Sequence, residues 1–323
     1  MNNLTLFDTL ITFNEQYIEF PPFVAAAKEI EDNLALYRAT GIARNLLVFG
    51  ESGSGKSTLC KWIVKKYPRF SLPDRDVIPV LNISILSSAT IGGFAEEMLL
   101  ALGDPGYSSG SIAAKTRRLV HLCKACKVEL ILLDEAAHGQ DRGQAATHYM
   151  LADWIKSVVD QIEVPTVFLG LPRLDQLFRV NEQLRRRFLR RIHLALGNSD
   201  THTIYEECLQ LFISLGASLP LPLSCGDFGW DDFSVRLRYA CDGRVSYLKE
   251  LLFAVLLEVH GTDAREIGPQ AFESAFTNGI WSPGIGALNP FNPAFQFRRL
   301  DRGGEPFEPG NLGLRRTIGR VAC

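Results

Sequence analysis

No run of 18 or more apolar residues occurs in this chain of 323 residues, and that excludes a membrane-spanning helix by length alone. The opening MNNLTLFDTL lacks the basic-then-apolar order of a secretory leader, so the expected compartment is the cytoplasm. Cysteine is sparse, seven residues scattered and odd in number, which fits reduced thiols better than a disulfide framework. Cys123 and Cys126 make one C-x-x-C inside a helical pattern; with no second pair at zinc spacing, two helix-core thiols are the expected reading. Charge of either sign is barely in excess, −2 overall, so the bulk field is not that of a nucleic-acid binder. There is no internal repeat.

The chain does have enough apolar residues, 46%, to bury a sizeable core in two domains or in one with a smaller companion. Short Val-, Ile- and Leu-rich runs without alternation lie at Leu46–Phe49, Val77–Asn82, Glu129–Leu133, Val164–Leu169 and Ile192–Leu196, the pattern of parallel strands buried on both faces. Helical patterns fall between them at about 56–67, 91–102, 112–127, 146–161 and 173–189. Five strands joined by helical crossovers predict a three-layer α/β domain with a five-stranded parallel sheet. After Gly197 the pattern turns all-helical, at 201–216, 231–240, 244–260 and 268–277. The expected organisation is an N-terminal extension over 1–35, the α/β domain over 36–198, a helical lid over 199–280 and a Pro- and Gly-rich tail over 281–323.

Gly50 to Thr58 reads GESGSGKST, between the apolar run Leu46–Phe49 and the helix-like LCKWIVKKY. A strand that feeds a glycine-rich turn and then a helix N-terminus aims several backbone N–H groups at one point, where a polyphosphate fits. Gly50, Gly53 and Gly55 allow close approach, Glu51, Ser52 and Ser54 complete the loop, Lys56 can reach the β- and γ-phosphates, and Ser57 can ligate Mg²⁺. The segment ELILLDEAAH then ends an apolar strand in Asp134-Glu135, the order that sets carboxylates at a strand's carboxyl end beside such a loop. Asp134 is expected to hold Mg²⁺ of a bound ATP, and Glu135 to orient and deprotonate the attacking water. No N-K-x-D segment reads guanine, and no LSGGQ-like signature lies between the two motifs, which argues against a GTPase and an ABC-type ATPase.

Three further features bear on partners. Lys115 to Lys127 holds five basic residues and no acid, and Arg173 to Arg191 holds seven arginines against Asp175 and Glu182. Such local patches suit a phosphate backbone, or equally a solvated helix face. NEQLRRRFLRR puts Arg185, Arg186 and Arg187 at the end of a helix; Arg186 and Arg187 can serve as fingers on a neighbouring subunit's ATP. CDGRVSYLKELL starts a helix at Arg244, a cation that a lid can swing onto the nucleotide. The tip after the fourth strand reads Gly170-Leu171-Pro172, where a nucleotide sensor would be polar, and Arg173 is the nearest polar side chain. The tail from Phe291 mixes Phe and Arg and offers a docking strip for a partner.

GESGSGKST, the segment LGDPGYSSGSIAAKTRRLVHLCKACKVELILLDEAAH, VPTVFLGLPRL and LRRRF together resemble the AAA+ ATPases, and within them the TniB/TnsC family of transposition regulators. The resemblance covers about residues 15–260. It implies ATP and Mg²⁺ as cofactors, a homo-oligomeric ring or filament on double-stranded DNA, and a link between a target selector and a transposase. It also implies that Lys115, Arg117 and Arg118 face DNA. Two rivals stay open: an AAA+ machine that acts on protein partners, and a nucleotide-gated scaffold with little hydrolysis.

Overall fold

The computed structural model describes residues 20–86, 90–136, 145–197, 202–217 and 219–308, with Asp8, Leu10, Ile11 and Phe13. A helix not anticipated from sequence spans Pro21–Thr40 (α1). Its signals are local: prolines at the first positions, where no intrahelical N–H is needed, and Gly41 at φ 72° returning its N–H to the Tyr37 carbonyl. Five strands then form one sheet: β1 (Leu46–Phe49), β4 (Val80–Leu86), β5 (Leu130–Ala136), β6 (Thr166–Gly170) and β7 (Arg190–His193). Their order is β4-β5-β6-β1-β7 and every pairing is parallel. A two-rung hairpin, β2 (Phe70–Ser71) with β3 (Asp76–Val77), precedes the sheet's β4 edge.

The crossovers are α2 (Lys56–Lys66), α3 (Ile91–Ala101), α4 (Ile112–Ala125), α5 (Ala145–Ile162), α6 (Asp175–Val180) and α7 (Glu182–Arg187). Successive strand residues alternate between two cores, as a pleat requires. Leu46, Val48, Leu130, Leu132, Val167 and Leu169 pack towards α1, α2 and the helices that follow the sheet. Leu47, Phe49, Ile131, Leu133 and Phe168 pack towards α3, α4, α5 and the pair α6–α7. The helical part comprises α8 (Ile204–Gly216), α9 (Gly229–Cys241), α10 (Val245–Val259) and α11 (Pro269–Ala275). It shares the first core with the sheet.

Four sequence expectations shift. The second strand starts at Val80, because Pro79 lacks an N–H and gives its carbonyl to the Glu129 and Leu130 amides at 2.9 and 3.0 Å. The helix expected over 173–189 breaks at Asn181, which is extended at φ −125° and caps α7 by accepting from the Leu184 N–H at 2.9 Å. The last strand is Arg190–His193 rather than the apolar Ile192–Leu196; it is an edge, exposed at three of its four positions, so polarity costs it little. The Pro-rich stretch after Ser282 is packed as far as Glu308 and is no extended tail: Phe291, Phe295, Leu300 and Phe307 are buried. Those three phenylalanines are therefore not available as docking anchors. Pro309–Cys323 lie outside the described residues.

Candidate functional site

The phosphate-loop residues leave β1 at its carboxyl end, where Gly50 donates its N–H to the Gly170 carbonyl at 3.0 Å. Gly53 and Gly55 have φ of +81° and +97°, a backbone that only glycine adopts without strain. Space forbids side chains as well: a Cβ on Gly50 would stand 2.3 Å from Ser54 Oγ and 2.7 Å from the Leu194 carbonyl. Lys56, at the first position of α2, is buried and donates Nζ to the Gly50 and Glu51 carbonyls at 2.7 and 2.8 Å. Ser57 and Thr58 follow it on the exposed side of the first turn. Ser54 Oγ is buried with no hydrogen-bond partner among the described residues, an unmet polar atom within the glycine loop.

Asp134 reaches the same edge through sheet register, paired with Ser84 on one side and Leu169 on the other. It is nine-tenths buried or more, at 5% exposure. Its charge meets that of Lys56 at Cys60 on α2: burial pushes that thiol well above its ordinary range, Asp134 adds to the rise and Lys56 opposes it. Glu135 is the next residue of β5, in register with Ile85; its side chain, like that of Arg173, lies outside the described residues. A cation, a carboxylate and a helix N-terminus thus converge on a glycine cradle, the donor set a magnesium-bound polyphosphate needs.

The helical part closes on this loop. Ser246, in the first turn of α10, donates its N–H to the Gly53 carbonyl at 3.0 Å, and a Cβ on Gly53 would overlap Ser246 Oγ at 1.9 Å. Gly53→Ala is therefore expected to destabilise the fold by roughly 1–3 kcal/mol, through the strained φ and the displacement of α10 from the loop. Urea unfolding measures it, and an unchanged midpoint would mean that α10 does not rest on the loop. Arg244, two residues before Ser246, pairs with Asp242 at 3.3 Å. Sequence reasoning did not single out Asp242 or Ser246; the turn Asp242-Gly243, both at positive φ, was their one local signal.

Arg186 and Arg187 stand elsewhere. α7 ends just before β7, whose first residue Arg190 is in register with Leu46 at the amino end of β1. Four strand residues, about 13 Å of rise, separate that edge from the phosphate loop of the same chain. The two arginines line a cavity of about 540 Å³ with Glu29, Asn33, Arg44 and Arg190. Arg186 pairs with Glu182 at 2.6 Å and Arg187 with Asp160 at 2.8 Å.

The three cations proposed for DNA do not share a face. Lys115 is buried and paired with Glu96 of α3, since it lies one and two helical turns from the core residues Leu119 and Cys123. Arg118 holds its own loop, donating to Asp104 at 2.9 Å and to the Gly106 and Ser109 carbonyls at 2.7 and 3.0 Å. Only Arg117 is exposed, joined on its face by His121 and Lys124. The signal was available: residues 117, 121 and 124 share the helical period, and 115 is out of phase with them. Lys115→Ala is expected to cost about 1–3 kcal/mol, less than a fully buried pair because Glu96 is one-third exposed. Denaturant unfolding reads that loss, and wild-type stability would place Lys115 in solvent. Cys123 is also core, its thiol pushed up to about 12 by burial.

Among the described residues no helix is long and apolar enough to cross a membrane. No curated protein matches the chain's sequence. In fold it is similar to the ORC2 protein of Aeropyrum pernix in its ADPNP–ADP complexes, with a TM-score of 0.59 at 13% identity over 83% of this chain and 71% of that one. Cdc6p from Pyrobaculum aerophilum gives 0.59 at 12% identity over 83% and 70%. The Aeropyrum pernix ORC1 protein in complex with DNA gives 0.57 at 14% over 81% and 66%. The shared feature is the AAA+ P-loop fold, a five-stranded parallel sheet with flanking helices and a helical C-terminal part. Residues 12–195, more than half of the chain, match the model of the bacterial TniB protein, and the chain belongs to the TniB family.

Proposed function

We propose that this protein is a magnesium-dependent ATPase that assembles on duplex DNA in its ATP state and links target-site selection to a transposase. The observation that carries the reading is the division of one site between two edges. The loop, Lys56 and Asp134 occupy the carboxyl edge of the sheet, and the cavity with Arg186 and Arg187 occupies the amino edge. A finger at that distance serves a neighbour's nucleotide rather than its own, where it can contribute about 10³ to 10⁵ in rate. Ser57 and Asp134 would hold Mg²⁺, and Glu135 would position the attacking water. A polar strand tip is missing at Gly170-Leu171, which favours slow turnover and long-lived assemblies.

DNA contact in this reading falls to the exposed face of α4, with Arg117 and Lys124. Two or three phosphate contacts bind weakly at physiological salt, because counterion release scales with contact number. Subunits joined through ATP multiply the contacts, and a modest patch becomes tight binding by effective concentration. Anisotropy of a labelled duplex tests this: ATP with Mg²⁺ is expected to drive salt-sensitive binding. Arg117→Ala/Lys124→Ala is expected to lower the salt slope by roughly 0.9 for each phosphate that is no longer neutralised. Binding that is indifferent to ATP and to this double substitution would favour an AAA+ machine that acts on protein.

A further inference from the structure

Asp242 is where the site and the C-terminal segment meet. It turns the corner between α9 and α10 at φ +51°, and its carboxylate, 2% exposed, is ringed by three guanidinium groups. Arg299 grips both oxygens, Nε on Oδ1 at 2.7 Å and Nη2 on Oδ2 at 2.6 Å. Arg244 and Arg238 are left at 3.3 and 3.7 Å. A carboxylate committed to a two-pronged partner holds further cations mainly by charge, without the short bonds that make such pairs strong.

Arg299 arrives on a strap, residues 298–307, anchored by Leu300 and Phe307, both buried. The Phe307 N–H closes the strap onto the Leu300 carbonyl at 3.0 Å, and Trp281 Nε1 donates to the Gly304 carbonyl at 3.1 Å. Arg298 bonds Glu305 and holds its carboxyl down to about 2, so that link is ionised at any physiological pH. The strap also touches Arg244 itself. The Arg244 guanidinium lies 5.8 Å from the Tyr247 ring and 5.9 Å from the Phe307 ring, which meet edge-on at 5.0 Å. Tyr247 Oη donates to the Pro306 carbonyl at 3.2 Å. On the other side, the bond from Ser246 to Gly53 sets Arg244 within one helical turn of the phosphate loop, and the charge of Glu51 in that loop reaches Arg299.

We propose that the strap is a positioning device for Arg244: Arg299 occupies Asp242 so that Arg244 stays releasable towards a nucleotide phosphate, while Tyr247 and Phe307 keep it aimed. The proposal rests on the reading of the glycine loop as a nucleotide site. Arg299 acts through Asp242 and does not touch the nucleotide. Without it, Asp242 closes on Arg244 in the two-pronged geometry, and ATP must break a nearly buried ion pair to recruit the arginine.

Titration of a fluorescent ATP analogue into the full-length protein with Mg²⁺ tests this in a cycle of wild type, Arg244→Gln, Arg299→Gln and the double variant. Arg299→Gln is expected to weaken binding by roughly five- to tenfold and to add nothing once Arg244 is gone. Additive losses would overturn the proposal, since Arg299 would then meet the phosphates directly; so would unchanged affinity in Arg299→Gln. Asp242→Asn, suited to positive φ, is expected to restore affinity to Arg299→Gln by removing the carboxylate that captures Arg244. A strap with a purely structural role would instead bind worse still. Should Arg299→Gln lower the urea midpoint, Arg299→Lys keeps the charge without the two-pronged grip and is expected to weaken binding in the same direction. Lys56→Ala separates the two failures. Wild type binding no better than that variant would overturn the nucleotide reading, whereas tight wild-type binding matched by Arg299→Gln would overturn only the strap.

Discussion

Lys56→Ala is expected to weaken ATP binding by about 100-fold, the upper range for removal of a hydrogen bond to a charged group. The buried ammonium sits at the centre of the loop, held by the Gly50 and Glu51 carbonyls. Those acceptors keep it extended and aimed before any phosphate arrives, so little side-chain entropy is lost on binding. Without the cation, the β- and γ-phosphates have no charge-assisted donor there, and the Gly50 carbonyl loses its partner, while that of Glu51 keeps the Ser54 N–H at 3.1 Å. Glu135→Gln should behave differently. It keeps the shape of the site and removes the base, so ATP binding persists while turnover falls by about 10²- to 10³-fold. A steady-state phosphate-release assay beside equilibrium binding separates the two, and equal turnover in wild type and Glu135→Gln would support a nucleotide-gated scaffold.

The second large effect is on stability. Phe188 follows the arginine run and is fully buried, with its ring 5.3 Å from Phe168 of β6 and 5.2 Å from Phe178 of α6, both in edge contact. Phe168 and Phe178 close the triangle at 5.5 Å. Phe188→Ala is expected to cost about 3–5 kcal/mol, transfer and cavity together, with some loss of aromatic pairing added. Because this ring fastens the end of α7 to the sheet, the variant should also loosen Arg186 and Arg187 and blunt any rate enhancement that depends on self-association. Urea denaturation reads the first effect, and the dependence of specific activity on protein concentration reads the second. A loss below about 1 kcal/mol would mean that the cluster is not packed as described.

What was legible in the sequence was local. The loop GESGSGKST encodes its own turn, because positive φ at Gly53 and Gly55 needs glycine wherever the chain goes. Four apolar residues before Asp134 made the buried strand equally plain, but not its end, because β5 runs on through Asp134 and Glu135 to Ala136. Lys115 was misplaced on the DNA face because neither a resemblance nor a count of charges reads phase: it shares the period of Leu119 and Cys123 and is buried in a pair with the half-buried Glu96. The tail was misjudged for a different reason. Its prolines and glycines have the composition of a linker, while Phe291, Leu300 and Phe307 are buried by helices far away in the chain. The grip of Arg299 on Asp242 spans 57 residues and leaves no trace in local pattern. The arginines of α7 were found by composition, but only the sheet register puts them on the edge opposite the loop.

The most direct test is a calorimetric titration of the purified protein with ATP in the presence of Mg²⁺. The account predicts heat from one saturable site per chain, abolished in Lys56→Ala. An absence of heat from a folded wild-type protein would contradict the nucleotide site, and with it the ATP-driven assembly on DNA.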